Sequence, residues 1–312
     1  MSYKRVISLL PAATEIICAL DSENCLVGIS HECDFPDQIS HLPKCTSTVI
    51  HSKQSSLEID QMVAQQALAG LSLYQLDWEL IKSLQPDLII TQDQCKVCAI
   101  HLDDLKAQIQ LALGYPVAII SINPSTIEDI FLNIKEIATA LSKSELAETL
   151  LEDYQDRLDI IAHKVKHVKQ KPSLVFIEWL DPLMTAGHWT PSLISLAGAH
   201  GLLSNPGQNS EKITWSDLKQ ADPDFILISP CGFNLARIKQ EIHLLQANPH
   251  WATLKAVKEN RVFIADGNAF FNRPGPRIID SAEIIAEILQ VNQFYFGLEG
   301  SAWIGPISQL KV

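Results

Sequence analysis

The sequence predicts an α/β fold made of two Rossmann-like lobes joined by one long helix. One sequence motif occurs twice, and the Pro-Asp pairs of its two copies are 137 positions apart (223 − 86). In each copy a Trp stands eight residues before the Pro-Asp pair. An apolar, branched run follows each pair, which is typical of a short helix, a turn and a buried parallel strand. Strand and helix patterns alternate through both halves of the chain, which favours parallel sheets covered by helices.

Four apolar runs predict the strands of the first lobe, which we place at residues 1–124. They lie at 6–10, 26–29, 88–91 and 117–121. Ser125 and Glu128 then form a capping-box pattern, which begins a helical linker over residues 125–170. Apolar residues recur at helical spacing over 144–169. A helix of that length would span roughly 39 Å, enough to cross from one lobe to the other.

The second lobe, at residues 171–290, repeats this scheme. Its predicted strands are 174–177, 225–228 and 262–264, and its predicted helices include 191–196 and 278–289. The remaining residues, 291–312, form an aromatic tail that contains Phe294, Tyr295, Phe296 and Trp303. Because aromatic side chains bury large apolar areas, we expect this tail to pack against the body of the protein.

Length, composition and charge limit the classes of function. At 312 residues the chain is long enough for two hydrophobic cores. Its 47% hydrophobic and 19% charged residues are ordinary for a globular protein. A formal net charge of −12 argues against nucleic acid as a partner. No run of 18 apolar residues is present, so no membrane span is expected, and we expect a monomer.

The first residues and the cysteines bear on the compartment. Lys4 and Arg5 precede an apolar run, but Pro11 and Glu15 interrupt it and no small-residue cleavage site follows. The seven cysteines are an odd number, which favours reduced thiols in a chain that is not exported. We therefore predict a cytoplasmic location, or a periplasmic one if an upstream leader is missing from the sequence.

The candidate binding residues lie in loops that follow predicted strands. In the first lobe they are His31, Cys33, Asp34 and Phe35 in one loop, and Gln92, Cys95 and Cys98 in another. In the second lobe they are Trp179, His188, Trp189, Cys231, Phe233, Phe271 and Arg273. Loops at the carboxyl ends of parallel strands are where α/β folds bind ligands, so we expect a cleft between the lobes. Flat rings in such loops suit a large, mostly apolar ligand.

The Cys95-x-x-Cys98 pair permits more than one interpretation. A redox pair requires a helix N-terminus that lowers the pKa of the first thiol. A zinc site requires further ligands, and only His31, Cys33 and His101 are candidates, from separate loops. A structural or ligand-lining role for the pair is the other interpretation.

Other residues and motifs leave similar alternatives. His31 and His188 can each reach a metal centre through an imidazole nitrogen, or else hydrogen-bond to the backbone of their loops. Arg273 either contacts a ligand or is a solvated residue at a rigid helix start. The sequence contains no GxGxxG, Walker, GxSxG or HExxH motif, so no catalytic residue and no resident metal is predicted.

Several segments resemble a known family. Residues 5–15 (RVISLLPAATE) and 27–36 (VGISHECDFP) are similar to the opening of cobalamin-binding proteins. These belong to the helical-backbone substrate-binding proteins of ABC importers. Residues 84–89, the Thr214-Trp215 pair and residues 273–277 fit as well, and the resemblance covers about residues 4–290.

The resemblance implies the helical-backbone periplasmic-binding-protein fold and reversible, non-catalytic binding of a corrinoid in the cleft, with cobalamin as ligand and no permanent cofactor. The rings expected to pack on the corrinoid are Trp179, Trp189, Phe233 and Phe271. The residues expected near its centre are His31, Cys33, Cys95, Cys98 and His188, with the two histidines as possible cobalt ligands. Heme and iron-siderophore binders share this scaffold. A metal- or thiol-dependent cytosolic enzyme that uses the Cys95/Cys98 loop is the remaining alternative.

The resemblance also implies a protein partner, which is an ABC transporter permease or a corrinoid-handling protein. The family presents one acid from each lobe to arginines of the transporter. Glu79 matches that position in the first lobe, and Asp217 matches it approximately in the second. Either acid is also what an ordinary first helical turn favours, because a carboxylate interacts well with the helix dipole there.

Overall fold

Two sheets, one in each half of the chain, organise the fold in the computed structural model, which describes residues 2–51, 53–69, 71–92 and 109–309. The chain divides into two units. The first comprises residues 1–54, 58–124 and 128–151, and the second comprises residues 55–57, 125–127 and 152–312. The linker that we predicted as a separate region is thus shared between the units, and three residues near position 56 belong to the second unit.

The sheet of the first unit has four parallel strands in the order β2-β1-β5-β6. Their bounds are β1 Val6–Ser8, β2 Leu26–Ile29, β5 Leu88–Thr91 and β6 Ala118–Ser121. Leu88, Ile89 and Ile90 are all fully buried, as is usual for a parallel strand covered on both faces. Two further strands, β3 Thr46–Thr48 and β4 Tyr74–Leu76, form a separate antiparallel ribbon.

The sheet of the second unit is mixed, with the order β10-β8-β7-β11-β12-β13 and with β9 beside β7. Its strands are β7 Ser173–Trp179, β8 Met184–Thr185, β9 His200–Gly201, β10 Glu211–Lys212, β11 Phe225–Ile228, β12 Val262–Ala265 and β13 Trp303–Ile304. The three long strands β7, β11 and β12 are parallel, while β8 and β13 run antiparallel to their neighbours. The predicted fold class, α/β with two lobes, is confirmed.

Helices connect the parallel strands of both sheets. The helices of the described chain are α1 Pro11–Ala19, α2 Ser56–Leu68, α3 Trp78–Leu84, α4 Ile127–Leu141, α5 Ser144–Val165, α6 Thr190–Leu196, α7 Trp215–Ala221, α8 Leu235–Glu241, α9 His243–Gln246, α10 Lys255–Lys258 and α11 Ile278–Leu289. Residues 109–113 are helical as well. No helix within the described ranges combines the length and apolar character that crossing a membrane requires.

The long helix ends earlier than its sequence pattern suggests. We predicted a helix over 144–169, and α5 has 22 residues and ends at Val165. Beyond Val165 only Val168 is apolar before Pro172, so further turns would have no face to bury. Arg157 of this helix donates to the carboxylates of Asp280 (2.7 Å) and Glu283 (2.9 and 2.8 Å), which attaches α5 to α11.

The aromatic tail is attached to α11 by one buried acid. Glu287 is 3% exposed, and its carboxylate accepts hydrogen bonds from the backbone amides of Phe296 (2.7 Å) and Gly297 (3.0 Å). It also accepts one from Trp303 Nε1 at 2.7 Å. Trp303 is itself in β13, which pairs with β12. The tail therefore extends the second sheet at the β12 edge.

The duplicated motif adopts the same sequence of helix, turn and strand in both units. α3 and α7 end at Gln85 and Asp222, which adopt left-handed conformations with φ of 45° and 37°. Pro86 and Pro223 follow and cannot continue a helix. The chain then enters β5 or β11, the neighbour of the first strand of its sheet.

The aspartate of each Pro-Asp pair fixes the start of that first strand. Asp87 accepts hydrogen bonds from the backbone amides of Lys4 (2.8 Å) and Arg5 (2.9 Å), just before β1. Asp224 accepts from the amide (2.8 Å) and the hydroxyl (2.9 Å) of Ser173, the first residue of β7. The repeat therefore encodes a turn together with an acceptor for amides that begin the adjacent strand.

The Asp224 carboxylate leads to a testable prediction on stability. Its ion pair with Lys255 and its hydrogen bonds from Ser173 lower its pKa to about 2. Asp224→Asn should lower the free energy of unfolding by about 1 kcal/mol near neutral pH, after allowance for screening by solvent. Because the pKa is depressed in the folded state, this contribution is present above about pH 4 and is lost as the pH falls toward 2. Urea unfolding at both ends of this range measures it.

Asp156→Asn, on the exposed face of α5, is the matched control and should change stability by less than about 0.5 kcal/mol. Equal losses in the two variants would contradict the role of Asp224. So would a loss that persists unchanged at about pH 2.

Candidate functional site

A hydrogen-bonded histidine lies at the carboxyl end of β2. The backbone amide of His31 donates to Thr46 Oγ1 at 3.0 Å, and His31 Nδ1 lies 2.6 Å from the same oxygen. Ser30 Oγ contacts Thr46 Oγ1 as well, at 3.0 Å. The Tyr74 ring packs against the imidazole, with 5.5 Å between centroids. The ribbon of β3 and β4 thus sets the orientation of His31.

The second ring nitrogen of His31 makes no hydrogen bond within the described residues. His31 Nε2 is buried and lies 3.2 Å from Glu32 Oε1. Coordination of a metal through this nitrogen would require Glu32 to move and the ring to become exposed. In this conformation His31 is suited to hydrogen bonding and to electrostatic contact through the exposed Glu32 rather than to metal ligation.

The rest of this loop divides into a buried thiol and exposed neighbours. Cys33 is 1% exposed, and its Sγ lies 3.1 Å from Thr14 Oγ1, which in turn donates to Ser8 Oγ at 2.8 Å. The thiol is directed into the interior of the unit, and its place near the centre of a ligand stays a prediction. Phe35 is 44% exposed, and Asp34 and Gln92 are exposed too.

Cys95 and Cys98 lie outside the described residues, as does His101. The predictions for this pair therefore stay predictions. Among the residues that the structure describes, no three His, Cys, Asp or Glu side chains are grouped as a metal site would require.

In the second unit, two aromatic rings meet at the carboxyl ends of β7 and β11. Trp179 is half-buried, and its Nε1 donates to the backbone oxygens of Ser56 (3.1 Å) and Asp181 (3.2 Å). Phe233 is 5% exposed and its ring lies 5.2 Å from that of Trp179, at 56°. Trp179 thus retains an accessible surface, while Phe233 acts mainly as its support.

Close backbone approach holds the loops after β11 and β12 together. Gly267 donates its amide to Phe233 O at 2.8 Å and accepts from the amide of Gly232 at 3.2 Å. A Cβ at Gly267 would collide with the carbonyl oxygen of Pro230, so only glycine permits this approach. Cys231 remains exposed on the outside of this junction.

His188 adopts a strained backbone conformation. Its φ is +52°, which is uncommon outside glycine. Its amide donates to Gln208 O at 2.6 Å, and its carbonyl accepts from Gly207 N at 2.9 Å. The ring stacks on Trp189 at 5.6 Å, and Nδ1 is buried with no hydrogen-bond partner among the described residues. Because burial lowers the pKa of His188, its imidazole is neutral at physiological pH.

A partly buried acid that the sequence analysis did not select lies beside this loop. Burial raises the pKa of Glu178 to about 7, although the Ser210 hydroxyl, 3.0 Å from each carboxylate oxygen, and the Gly187 amide favour the charged form. Gly187 is again a position where a Cβ would collide with backbone, here with Gln208 O. The available signal was a single acid at the end of an otherwise apolar strand.

Three predicted contact residues lie in the core of the second unit. Trp189 is 6% exposed and its Nε1 donates to Phe271 O at 2.7 Å. Phe271 is 1% exposed and packs edge-on against Phe176 at 5.0 Å. Both rings are enclosed by protein in this structure, and their role as rings that face a ligand stays a prediction. Arg273 is 6% exposed and donates to Asn268 Oδ1 at 3.2 Å, so it is not a solvated arginine either.

The two acids predicted to contact a partner occupy different helical positions. Glu79 is the second residue of α3 and is exposed, while Asp77 caps that helix by accepting from Leu80 N at 3.0 Å. Asp217 is the third residue of α7, where it forms a capping box with Thr214. Its hydrogen bonds from the Thr214 hydroxyl and amide lower its pKa. Asp217 therefore has the ordinary role of a capping acid, and contact of either acid with a partner stays a prediction.

Proteins of known structure or name resemble this chain along most of its length. The structure of a periplasmic vitamin B12 binding protein of Vibrio cholerae superposes with a TM-score of 0.66 at 21% identity, over 94% of this chain and 99% of that one. A periplasmic heme binding protein of Pseudomonas aeruginosa gives a TM-score of 0.69 at 21% identity, over 94% of each chain. The vitamin B12-binding protein of Pectobacterium atrosepticum is 23% identical over 292 residues, which are 92% of this chain and 88% of the relative.

These relatives correct the predicted compartment. The two solved structures are described as periplasmic, and a Bacillus subtilis relative, 23% identical over 93% of this chain, is named a substrate-binding lipoprotein of an ABC transporter. The prediction of a cytoplasmic location is therefore wrong. An odd number of cysteines reflects compartment averages rather than a physical requirement of the fold, which is why it misled.

The family itself is shown by a match along most of the sequence. The model of the family described as periplasmic binding protein covers residues 6–269, and 264 of the 312 residues fall in that range (269 − 6 + 1). The resemblance drawn from the sequence is confirmed at this level, as is the fold that it implied. The chain belongs to the periplasmic binding protein family.

Proposed function

We propose that this chain binds a corrinoid, with cobalamin as the model ligand, reversibly and without catalysis, and that it serves the permease of an ABC importer. The observation that carries this proposal is the extent of the likeness to proteins named for vitamin B12. Those relatives align with 92% and 93% of the chain, so the alignments span both units. The names of these relatives describe binding and not catalysis.

The side chains that remain accessible match the chemistry of a corrinoid. Such a ligand has a broad apolar ring with an amide fringe, so it needs an aromatic surface together with hydrogen-bonding groups. In the first unit the exposed Asp34, Phe35 and Gln92 supply both kinds. In the second unit the half-buried Trp179 supplies an aromatic surface beside the exposed Cys231.

His188 is better suited than His31 to meet a metal centre. Only a neutral imidazole donates a lone pair to a metal, and burial keeps His188 neutral. His31 Nδ1 is held by Thr46, and its Nε2 is buried beside the Glu32 carboxylate, so a metal could reach it only if Glu32 moved. If the bound corrinoid exchanges its axial water, we assign His188 as the new axial ligand. We assign hydrogen bonding with the ligand to His31.

Heme is the second candidate ligand, because a heme binding protein shares this fold along 94% of the chain. Calorimetry of the purified protein with cyanocobalamin, hydroxocobalamin and hemin separates the two. We expect corrinoid binding with a Kd of about 1 μM or tighter, equivalent to about −8 kcal/mol. Binding of hemin alone would favour the second candidate, and no corrinoid binding at millimolar concentration would refute the proposal. Stoichiometric zinc or iron in protein purified under reducing conditions would instead favour the enzyme alternative.

Trp179→Ala should weaken cyanocobalamin binding by about tenfold, because it removes the accessible aromatic surface of the second unit. Trp215→Ala is the matched control, since Trp215 is a half-buried tryptophan of the same unit that packs edge-on against Trp251. Calorimetry of both variants measures the difference. Equal affinities for the two variants would contradict a ligand contact at Trp179.

The assignment of His188 predicts a change in the visible spectrum of hydroxocobalamin when it binds. That change should be absent in His188→Ala and present in His31→Ala. Because the pKa of His188 lies below the ordinary 6.5, the bound spectrum should persist as the pH falls through 6.5 and be lost only at lower pH. A bound spectrum that is unchanged in His188→Ala, or that is lost with a midpoint above 6.5, contradicts the assignment.

A further inference from the structure

Residues 55–57 are separated in sequence from the rest of the second unit, yet they belong to it. At their centre, Ser56 is fully buried and is the first residue of α2. Its backbone amide donates to Glu241 Oε2 at 3.1 Å, and its carbonyl oxygen accepts from Trp179 Nε1 at 3.1 Å. One buried residue therefore connects an acid to the tryptophan of the candidate site.

Glu241 has a buried carboxylate, and the contacts of Ser56 help to explain how its charge is compensated. It is the last residue of α8 and is 6% exposed. A buried carboxylate is costly unless charged or hydrogen-bonded partners compensate. Arg237, one turn earlier on the same helix, forms an ion pair with one of its oxygens, and the Ser56 amide binds the other. An anion beside the first amide of a helix is also favoured by the helix dipole.

Arg237 completes a closed set of contacts. Its guanidinium lies 4.9 Å above the Phe233 ring, and that ring lies 5.2 Å from Trp179. Ser56, Glu241, Arg237, Phe233 and Trp179 thus contact one another in a ring. We call these five residues the Glu241 bracket.

We propose that Glu241 is a positioning residue that sets the affinity for the ligand through the Glu241 bracket, an inference that rests on the proposed tetrapyrrole site. Glu241 holds Ser56 and Arg237, and these hold the indole of Trp179 by a hydrogen bond and the Phe233 ring by a cation–π contact. A contact surface fixed before binding loses less conformational entropy when the ligand binds. Loss of Glu241 should therefore weaken binding although it does not itself touch the ligand.

The test combines affinity with the environment of Trp179. Protein labelled with 5-fluorotryptophan gives a ¹⁹F NMR resonance for Trp179, which Trp179→Phe identifies. Glu241→Ala should weaken cyanocobalamin or hemin binding by about tenfold, measured by calorimetry, and should shift or broaden this resonance. Glu283→Ala is the matched control, because Glu283 is also a buried acid that pairs with an arginine (Arg157), in a contact on another helix. The Glu283→Ala protein should be less stable than wild type, but its affinity for the ligand and its Trp179 resonance should be unchanged.

A second pair of variants covers the case in which Glu241→Ala does not fold. Ser56→Pro removes only the amide donor, at the first helical position where proline is tolerated. Ser56→Ala keeps that amide and is its control, since the Ser56 hydroxyl has no hydrogen-bond partner among the described residues. An unmoved Trp179 resonance and a Kd within twofold of wild type, in folded Glu241→Ala or Ser56→Pro, would overturn the inference.

The two proposals fail in different ways. If the wild-type protein binds neither cyanocobalamin nor hemin, the proposed function is wrong. The fluorine resonance then decides alone whether Glu241 positions Trp179, because it is measured without ligand.

Discussion

Each sheet depends on how its central strand begins. The amides that lead into β1 and β7 are bound by a carboxylate from the turn into the adjacent strand. Because β1 pairs with β5, and β7 with β11, in parallel, the strands start side by side, and the Pro-Asp turn arrives where the acceptor is needed. One aspartate, Asp87 or Asp224, therefore aligns the starts of two adjacent strands, directly after the proline that ends the preceding helix. The loops at the carboxyl ends of the strands take no part in this alignment, so their residues can vary.

At those carboxyl ends the loops are held by polar groups and by close backbone approach more than by apolar packing. Thr46 binds two groups of His31, and Gly267 lets two loops meet where any side chain would collide. Such contacts fix a side chain and still leave part of its surface accessible. His31 and Trp179 are both of this kind, since each is half-buried while His31 Nδ1 and Trp179 Nε1 are held by hydrogen bonds.

The sequence predicted the main parallel strands of both sheets because the signals for them are local, but it did not predict the short strands β3, β4, β8, β9, β10 and β13. The Trp-to-Pro-Asp spacing and the apolar runs specify elements within about ten residues, and the structure contains them. The site was harder, since an aromatic residue in a loop has no periodicity that tells whether it faces outward. Trp189 and Phe271 were therefore read as contact residues, although both are enclosed. The partners Ser56 and Glu241 are 185 positions apart, and no local pattern relates them.

Three acids of the second unit differ in the hydrogen-bond donors that their carboxylates receive. Glu287 receives three N–H donors, and Glu241 receives a guanidinium and an amide. Glu178 has a hydroxyl and an amide against its burial, and its pKa rises to about 7 from 4.5. Because the folded state then favours the protonated acid, stability from this group is complete below about pH 4.5 and is lost as the pH rises through 7.

The charge state of Glu178 acts directly on the candidate site. The acid is followed in sequence by Trp179, and through Ser210 and Gly187 it holds the loop that carries His188. Deprotonation places a negative charge where only weak donors compensate it. The two side chains that we assign to the ligand in this unit are therefore supported by a group whose charge changes near neutral pH. By contrast, the supports of His31 that we describe in the first unit, Thr46 and Tyr74, carry no charge there.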